Sequence, residues 1–204
     1  MPETVALIDY GAGNLRSVEN ALRAAGGNPT VTADPDCVSR ADRIILPGVG
    51  AFAACMGGLT AIGGMVEAMG EAVIAQGRPF LGVCVGMQLL ADAGHEHGVT
   101  PGLGWIGGDV RLIERDSSFK IPHMGWNDVV PTRDHPLIEA GEAYYLHSYA
   151  FDVADPLDCL AITDHGGRIT GAVGRGNIIG SQFHPEKSQG YGLAFLARFL
   201  AWKP

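Results

Sequence analysis

The sequence has little charge, few cysteines and no basic block. Only 18% of its 204 residues are charged, against about 25% in ordinary globular chains. Its 14 Lys and Arg against 22 Asp and Glu give a net charge of −8. No run of five basic residues occurs, which excludes a non-specific nucleic-acid binder. Cys37, Cys55, Cys84 and Cys159 stand far apart without a CxxC pair. That spacing gives neither a disulfide framework nor a zinc knuckle, and free thiols in a reducing cytoplasm are the expectation. The opening Met-Pro-Glu-Thr has an acid and no basic stretch, unlike a signal peptide. There is no internal repeat, low-complexity tract or linker, so residues 1–204 are read as a single domain.

Glycine is plentiful instead, at 30 residues without a Gly-X-Y period. The residues between 44 and 66 carry no charge, a length sufficient to span a bilayer. Pro47, Gly48, Gly50 and four further glycines interrupt that stretch, and Leu59, Ile62, Val66, Met69 and Val73 repeat at helical spacing. A strand, a glycine turn and an amphipathic helix over 59–73 are therefore predicted rather than a membrane span.

In the first half, strands are predicted at 4–9, 29–32, 43–46 and 80–83. Helices are predicted after 15, at 59–73 and at 85–91. This alternation is the signature of parallel βαβ units. The second half reads as strands at 105–113, 127–130, 143–146, 159–163 and 177–183, with a helix at 193–202. The fold class is α/β: a doubly wound mixed, mainly parallel sheet flanked by helices.

Gly82-Val83-Cys84-Val85-Gly86 falls between an apolar strand and a helix. A Gly-x-nucleophile-x-Gly run there fits a nucleophile elbow, a sharp turn that pushes the central side chain out at the carboxyl end of the sheet. The helix N-terminus behind it favours a thiolate, and the Val85 N–H is placed to donate to an oxyanion. The same stretch also fits a buried cysteine in a glycine-rich sheet.

A nucleophilic thiol needs a base. Among seven histidines, His184 ends a predicted strand and is followed by Pro185 and Glu186. Residues i and i+2 of an extended segment share a side, so Glu186 can orient the imidazole while its other nitrogen faces the thiol. Alone, the pair reads better as a capped strand end with a surface His and Glu. Beside the Cys84 elbow it reads as the rest of a Cys-His-Glu triad. Pro47-Gly48-Val49-Gly50 follows another buried strand, and a second oxyanion donor from Gly48 or Val49 or a plain βα turn both fit it. His95 and His97 have no third ligand near them, so no metal and no cofactor are expected.

These segments resemble the class I glutamine amidotransferases: Gly82-Val83-Cys84-Val85-Gly86-Met87-Gln88, then His184-Pro185-Glu186. Five more are similar to one branch of that family, whose members feed a cyclase making imidazole glycerol phosphate in histidine biosynthesis. They are Ile8-Asp9-Tyr10-Gly11-Ala12-Gly13-Asn14-Leu15, Pro47-Gly48-Val49-Gly50-Ala51-Phe52, Pro122-His123-Met124-Gly125-Trp126-Asn127, Leu146-His147-Ser148-Tyr149 and Lys187-Ser188-Gln189.

The resemblance implies that Cys84 attacks the side-chain amide of L-glutamine, His184 protonates the departing ammonia and Glu186 orients His184. It implies oxyanion donors at Val85 and at the Gly48–Val49 turn. It implies glutamine contacts at Gln88, Glu96, Ser148 and Tyr149, with Glu96 suited to the α-ammonium group. It further implies a heterodimer with a (β/α)8-barrel cyclase that receives the ammonia, with Asn14, Trp126, Tyr144 and Lys187 near the interface. Bland readings stand beside these: core aromatics for Trp126 and Tyr144, a solvated charge for Lys187, a helix cap for Asn14. Two other functions fit the same motifs, a class I glutaminase subunit serving a different acceptor and a non-catalytic binding protein on the same fold.

Overall fold

The computed structural model describes residues 3–114 and 119–204. The first half forms β1 (Val5–Ile8), α1 (Leu15–Ala24), β2 (Pro29–Thr32), α2 (Pro35–Arg40), β3 (Arg43–Gly48), α3 (Phe52–Ala61), α4 (Met65–Gly70), β4 (Phe80–Cys84) and α5 (Val85–Gln88). The second half adds β5 (Ala93–Gly94), β6 (Thr100–Pro101), β7 (Gly108–Leu112), β8 (His123–Pro131), β9 (Gly141–His147), β10 (Tyr149–Val153), β11 (Cys159–Asp164), β12 (Arg168–Arg175), β13 (Ile178–Ser181) and α6 (Gln189–Ala201).

Nine strands form one sheet in the order β2-β1-β3-β4-β13-β12-β11-β8-β9. The pairings from β2 to β13 are parallel and those from β13 to β9 antiparallel. The sheet is mixed, as expected, with the antiparallel part reaching half of its pairings. The chain steps outward from β1 to β2 and then back past β1 to β3. Right-handed crossovers therefore put α1 on one face and α2 on the other. Leu7, Ile8, Ile44, Ile45, Leu81 and Ile179 are fully buried between these layers, as parallel strands covered on both faces require.

Four features differ from the sequence reading. The helix expected over 59–73 is two helices, α3 and α4, whose axes differ by 95°. Gly64 sits between them at φ +82°, a left-handed conformation that stops a helix and suits glycine. Beyond α4 the chain continues as a wider π turn over Glu71–Ala75. Among the described residues no single helix is long and apolar enough to cross a membrane.

Helix α2 went unpredicted because its six residues bury only Val38, too few to show a period. Its signal is local: the Asp34 side chain accepts the Asp36 N–H, and Pro35 stands at the first helical position. Strand β12 was masked by Gly171 and Gly174, which weaken a strand pattern. Finally, β10, β7, β5 and β6 form a separate four-stranded sheet. The expected strand at 105–113 therefore begins only at Gly108, and residues 143–153 divide at Ser148 between the two sheets.

Candidate active site

The carboxyl ends of β3, β4 and β13 lie side by side, with Gly48 opposite Cys84 and Ser181 opposite Val83. Ends of adjacent parallel strands are where open α/β sheets bind ligands. Cys84 holds φ +54° and ψ −111°, an uncommon conformation for a residue with a side chain. Such strain costs about 1–3 kcal/mol and persists only where the surroundings enforce it. Three glycines make that enforcement possible. A Cβ on Gly86 would fall 1.9 Å from the Leu46 oxygen, one on Gly82 2.5 Å from the Gly86 oxygen, and one on Gly48 2.5 Å from the Gly86 nitrogen. The elbow is thus wedged against β3 at contacts only glycine allows. Val85 opens α5, so its N–H lacks a carbonyl four residues earlier within the helix.

The structure brings His184 and Glu186 to the same place. His184 Nδ1 lies 2.9 Å from Glu186 Oε1, and both side chains are at most 2% exposed. The His184 N–H donates to the Tyr144 carbonyl at 2.9 Å, its carbonyl accepts from Ser188 Oγ at 2.6 Å, and Ser188 Oγ accepts the Tyr144 N–H at 2.9 Å. This clamp fixes the imidazole backbone. Burial opposes a charge on His184, but the neighbouring Cys84 and Glu186 outweigh it and push its pKa up to about 9. With Nδ1 taken by Glu186, the buried Nε2 is the ring atom left for the thiol.

A cavity of about 210 Å³ is lined by Val49, Cys84, Gln88, Glu96, Ser148, Tyr149 and His184 among others. It therefore gathers the four residues expected to contact glutamine. Glu96 Oε2 accepts the Phe52 N–H at 2.8 Å, so one carboxylate oxygen is tied to the start of α3. The Ser148 carbonyl accepts the Ile113 N–H at 2.9 Å. Val49 is 40% exposed, while its carbonyl accepts from Cys55 Sγ at 3.4 Å.

Trp126 and Tyr144 face each other across β8 and β9 with ring centroids 6.2 Å apart. Lys187 Nζ stands 5.8 Å from the Tyr144 ring centre. Trp126 is 48% exposed, so the core-aromatic reading fails for it. Asn14 precedes α1, but its side chain makes no capping hydrogen bond. His95 Nε2 lies 3.2 Å from Asp109 Oδ2, and among the described residues no three ligating side chains converge on a metal position.

Sequence reasoning missed several neighbours of this site. The buried Tyr10 donates its hydroxyl to the Pro47 carbonyl at 2.6 Å, under the Gly48–Val49 turn. Gln182 reaches Cys84 Sγ with Nε2 at 3.7 Å. His123 and His147 are buried 3.0 Å apart. Tyr10, His123 and His147 lie inside quoted motifs and Gln182 just before one, yet nothing in their spacing says that they meet.

Burial lowers the pKa of His123 to about 4 and of His147 to about 3, with neighbouring histidines adding to the effect. Unfolded, both would titrate near about 6.5. Below that pH the unfolded chain binds more protons than the folded one, so acid destabilises the fold. Between pH 6.5 and 5, each of the two should contribute a loss approaching about 1.4 kcal/mol per pH unit. Urea midpoints measured across that range should fall, and His123→Phe should flatten the slope by about half of the pair's share. A midpoint independent of pH would show that these rings are not held neutral.

Comparison with known proteins follows the same lines. The family described as "Glutamine amidotransferase class-I" matches residues 6–201. The imidazole glycerol phosphate synthase subunit HisH of Zymomonas mobilis subsp. mobilis is 65% identical, over 98% of this chain and 97% of that one. The protein of the same name from Caulobacter vibrioides is 53% identical, over 99% of this chain and 100% of its own. Among solved structures, PurLQS from Thermotoga maritima superposes with a TM-score of 0.76 at 20% identity, covering 98% of each chain. A structure described as a glutamine amidotransferase gives 0.74 at 18% identity, covering 97% of this chain and 99% of the other. At such identities these two likenesses speak for the fold alone.

Proposed function

Since the chain belongs to the class I glutamine amidotransferase family, we propose that it is the glutaminase subunit of an imidazole glycerol phosphate synthase, working in histidine biosynthesis. The observation that carries the chemistry is a cysteine forced to φ +54° at a helix start, in one cavity with His184, whose ring is paired to the buried Glu186.

Cys84 Sγ attacks the side-chain carbonyl carbon of glutamine as its proton passes to His184 Nε2. Glu186 holds the imidazole in place and stabilises its cationic form. The Val85 N–H and an N–H of the Gly48–Val49 turn receive the oxyanion. When the carbon–nitrogen bond breaks, His184 returns the proton and ammonia leaves. Water, deprotonated by His184, then opens the thioester and releases glutamate. Gln88, Glu96, Ser148 and Tyr149 hold the substrate, the Glu96 carboxylate facing its ammonium group.

The ammonia is handed to a (β/α)8-barrel cyclase subunit. The face carrying Met124, Trp126, Tyr144 and Lys187 suits that docking: Met124 and Trp126 are 62% and 48% exposed on one side of β8. Asn14 lies in the β1–α1 turn, and α1 packs against the Pro185–Lys187 turn that carries Lys187. The thiols of Cys37, Cys55, Cys84 and Cys159 are free, which suits a reducing cytoplasm.

Glutamate formation should be slow for the isolated chain and rise about 100-fold or more with cyclase and its nucleotide ligand, the effect of completing an oxyanion hole. The two chains should co-elute as a heterodimer. Full turnover without the cyclase, or no complex with it, would refute the partner assignment.

A further inference from the structure

The cavity is backed by a chain of buried and part-buried hydrogen bonds that the reaction itself does not use. It starts at Gln88, which is 4% exposed. Gln88 Nε2 donates to the Tyr149 carbonyl at 2.9 Å and to Gln182 Oε1 at 3.0 Å. Both amide hydrogens are thereby used, and Oε1 is the end of Gln88 left for a ligand. The Tyr149 carbonyl also lies 2.9 Å from His147 Nδ1. A carbonyl only accepts, so Nδ1 must carry the hydrogen and Nε2 the lone pair.

The same logic runs on. His147 Nε2 lies 3.0 Å from His123 Nδ1, which must therefore be the N–H partner. His123 Nε2 then accepts from Asn127 Nδ2 at 3.0 Å. Asn127 is itself fixed by backbone: Nδ2 also donates to the Asp164 carbonyl at 2.7 Å, and Oδ1 accepts the Asp128 N–H at 2.8 Å. Every donor from Asn127 to the Tyr149 carbonyl thus points one way, and Gln88 donates to that carbonyl from the other side. The His123 ring is stacked between those of Tyr145 and His165, with centroids 4.8 and 4.2 Å away, so it has no room to turn over.

We propose that His147 and His123 are positioning residues for glutamine binding: relaying the orientation of Asn127, they hold the Tyr149 carbonyl where it fixes the Gln88 amide with Oε1 toward the substrate. The inference deepens the glutaminase reading and rests on it. Burial keeps both imidazoles neutral at neutral pH, which the relay needs. A protonated His147 would set two N–H groups against each other at the His123 contact.

The test uses ring nitrogen NMR and steady-state kinetics on the full chain with its cyclase. At pH 7, ¹⁵N shifts should show His123 and His147 both as neutral Nδ1–H tautomers. An Nε2–H tautomer or a cation at either position overturns the relay, whatever the activity. His147→Phe keeps the ring and removes both nitrogens. It should raise KM for glutamine about tenfold, the loss of one oriented hydrogen-bonded contact, and leave synthesis from added ammonia within twofold. His147→Asn keeps an N–H near the position of Nδ1 and should bring KM back to within threefold of the original. Should His147→Phe fail to fold, Asn127→Asp replaces the donor facing His123 by an acceptor and should raise KM likewise. An unchanged KM in His147→Phe, or in Asn127→Asp where that variant stands in, refutes the proposal. Absence of glutamine turnover in the unaltered chain would instead refute the glutaminase reading, while the tautomer result still stands.

Discussion

Replacing Cys84 with alanine should lower glutamine-dependent synthesis by at least about 10³-fold, the scale seen when a covalent nucleophile is removed. Synthesis from added ammonia in the same complex should stay within twofold, because ammonia enters after the step proposed for Cys84. The contrast matters more than the loss. Alanine fits the Cys84 space and keeps the Cβ, so the elbow and the proposed docking face are preserved while the sulfur disappears. A glutamine-analogue electrophile should label Cys84 and spare Cys37, Cys55 and Cys159. His184→Ala should suppress that labelling as well, since nucleophile and base act as a unit. Glutamine-dependent turnover surviving in Cys84→Ala would place the nucleophile elsewhere. Parallel loss of the ammonia-dependent reaction would mean that the variant had damaged the complex and not the chemistry.

The second large effect is on the fold. Gly86→Ala would bring a methyl group to 1.9 Å from the Leu46 oxygen and 2.8 Å from the Leu46 carbonyl carbon. Both belong to the backbone of β3, so no side chain can swing aside. The elbow or the strand must move, at a cost of about 3 kcal/mol or more. Against a total stability of about 5–15 kcal/mol, this should bring the chain close to unfolding. Gly57→Ala is the control. Gly57 is exposed within α3, and a Cβ there meets nothing within 4 Å. Alanine at that position should stabilise by about 0.5–1 kcal/mol through lost backbone freedom of the unfolded chain. Urea midpoints of both variants decide the matter. A Gly86→Ala midpoint equal to the original would mean that the elbow does not press on β3 as closely as described.

Much of the first half was legible because its signals are local. Strand β2 was read to the residue, and β1, β3 and β4 to within two residues at each end, from apolar runs ended by turn residues. The break between α3 and α4 was not legible. Leu59, Met69 and Val73 keep a helical spacing across it and are all buried, so the pattern persists although the axis turns. Two glycines at 63 and 64 were the available warning. The second sheet was hidden for a different reason. Strands β5 and β6 have two residues each, too short for any alternation to show.

The sequence by itself determined the setting of Cys84. The Gly82–Gly86 spacing around Cys84 imposes a tight turn because backbone conformation is a property of neighbouring residues. The adjacency of His184, Pro185 and Glu186 likewise predicted an imidazole–carboxylate pair, which forms at 2.9 Å. The sequence also singled out His184 among seven histidines; only the tertiary structure decided that it shares a cavity with the thiol, and what the others would do. Cys84 and His184 are a hundred residues apart and are joined by the parallel pairing of β4 with β13. His123 and His147, each within a recognisable motif, become a neutral, directional pair only because β8 lies antiparallel to β9 with these two residues opposite each other. Glu96 is tied to the N-terminus of α3 by a contact across 44 residues. Such partnerships depend on sheet register and burial, which arise from the packing of the whole chain and leave no periodic trace along it.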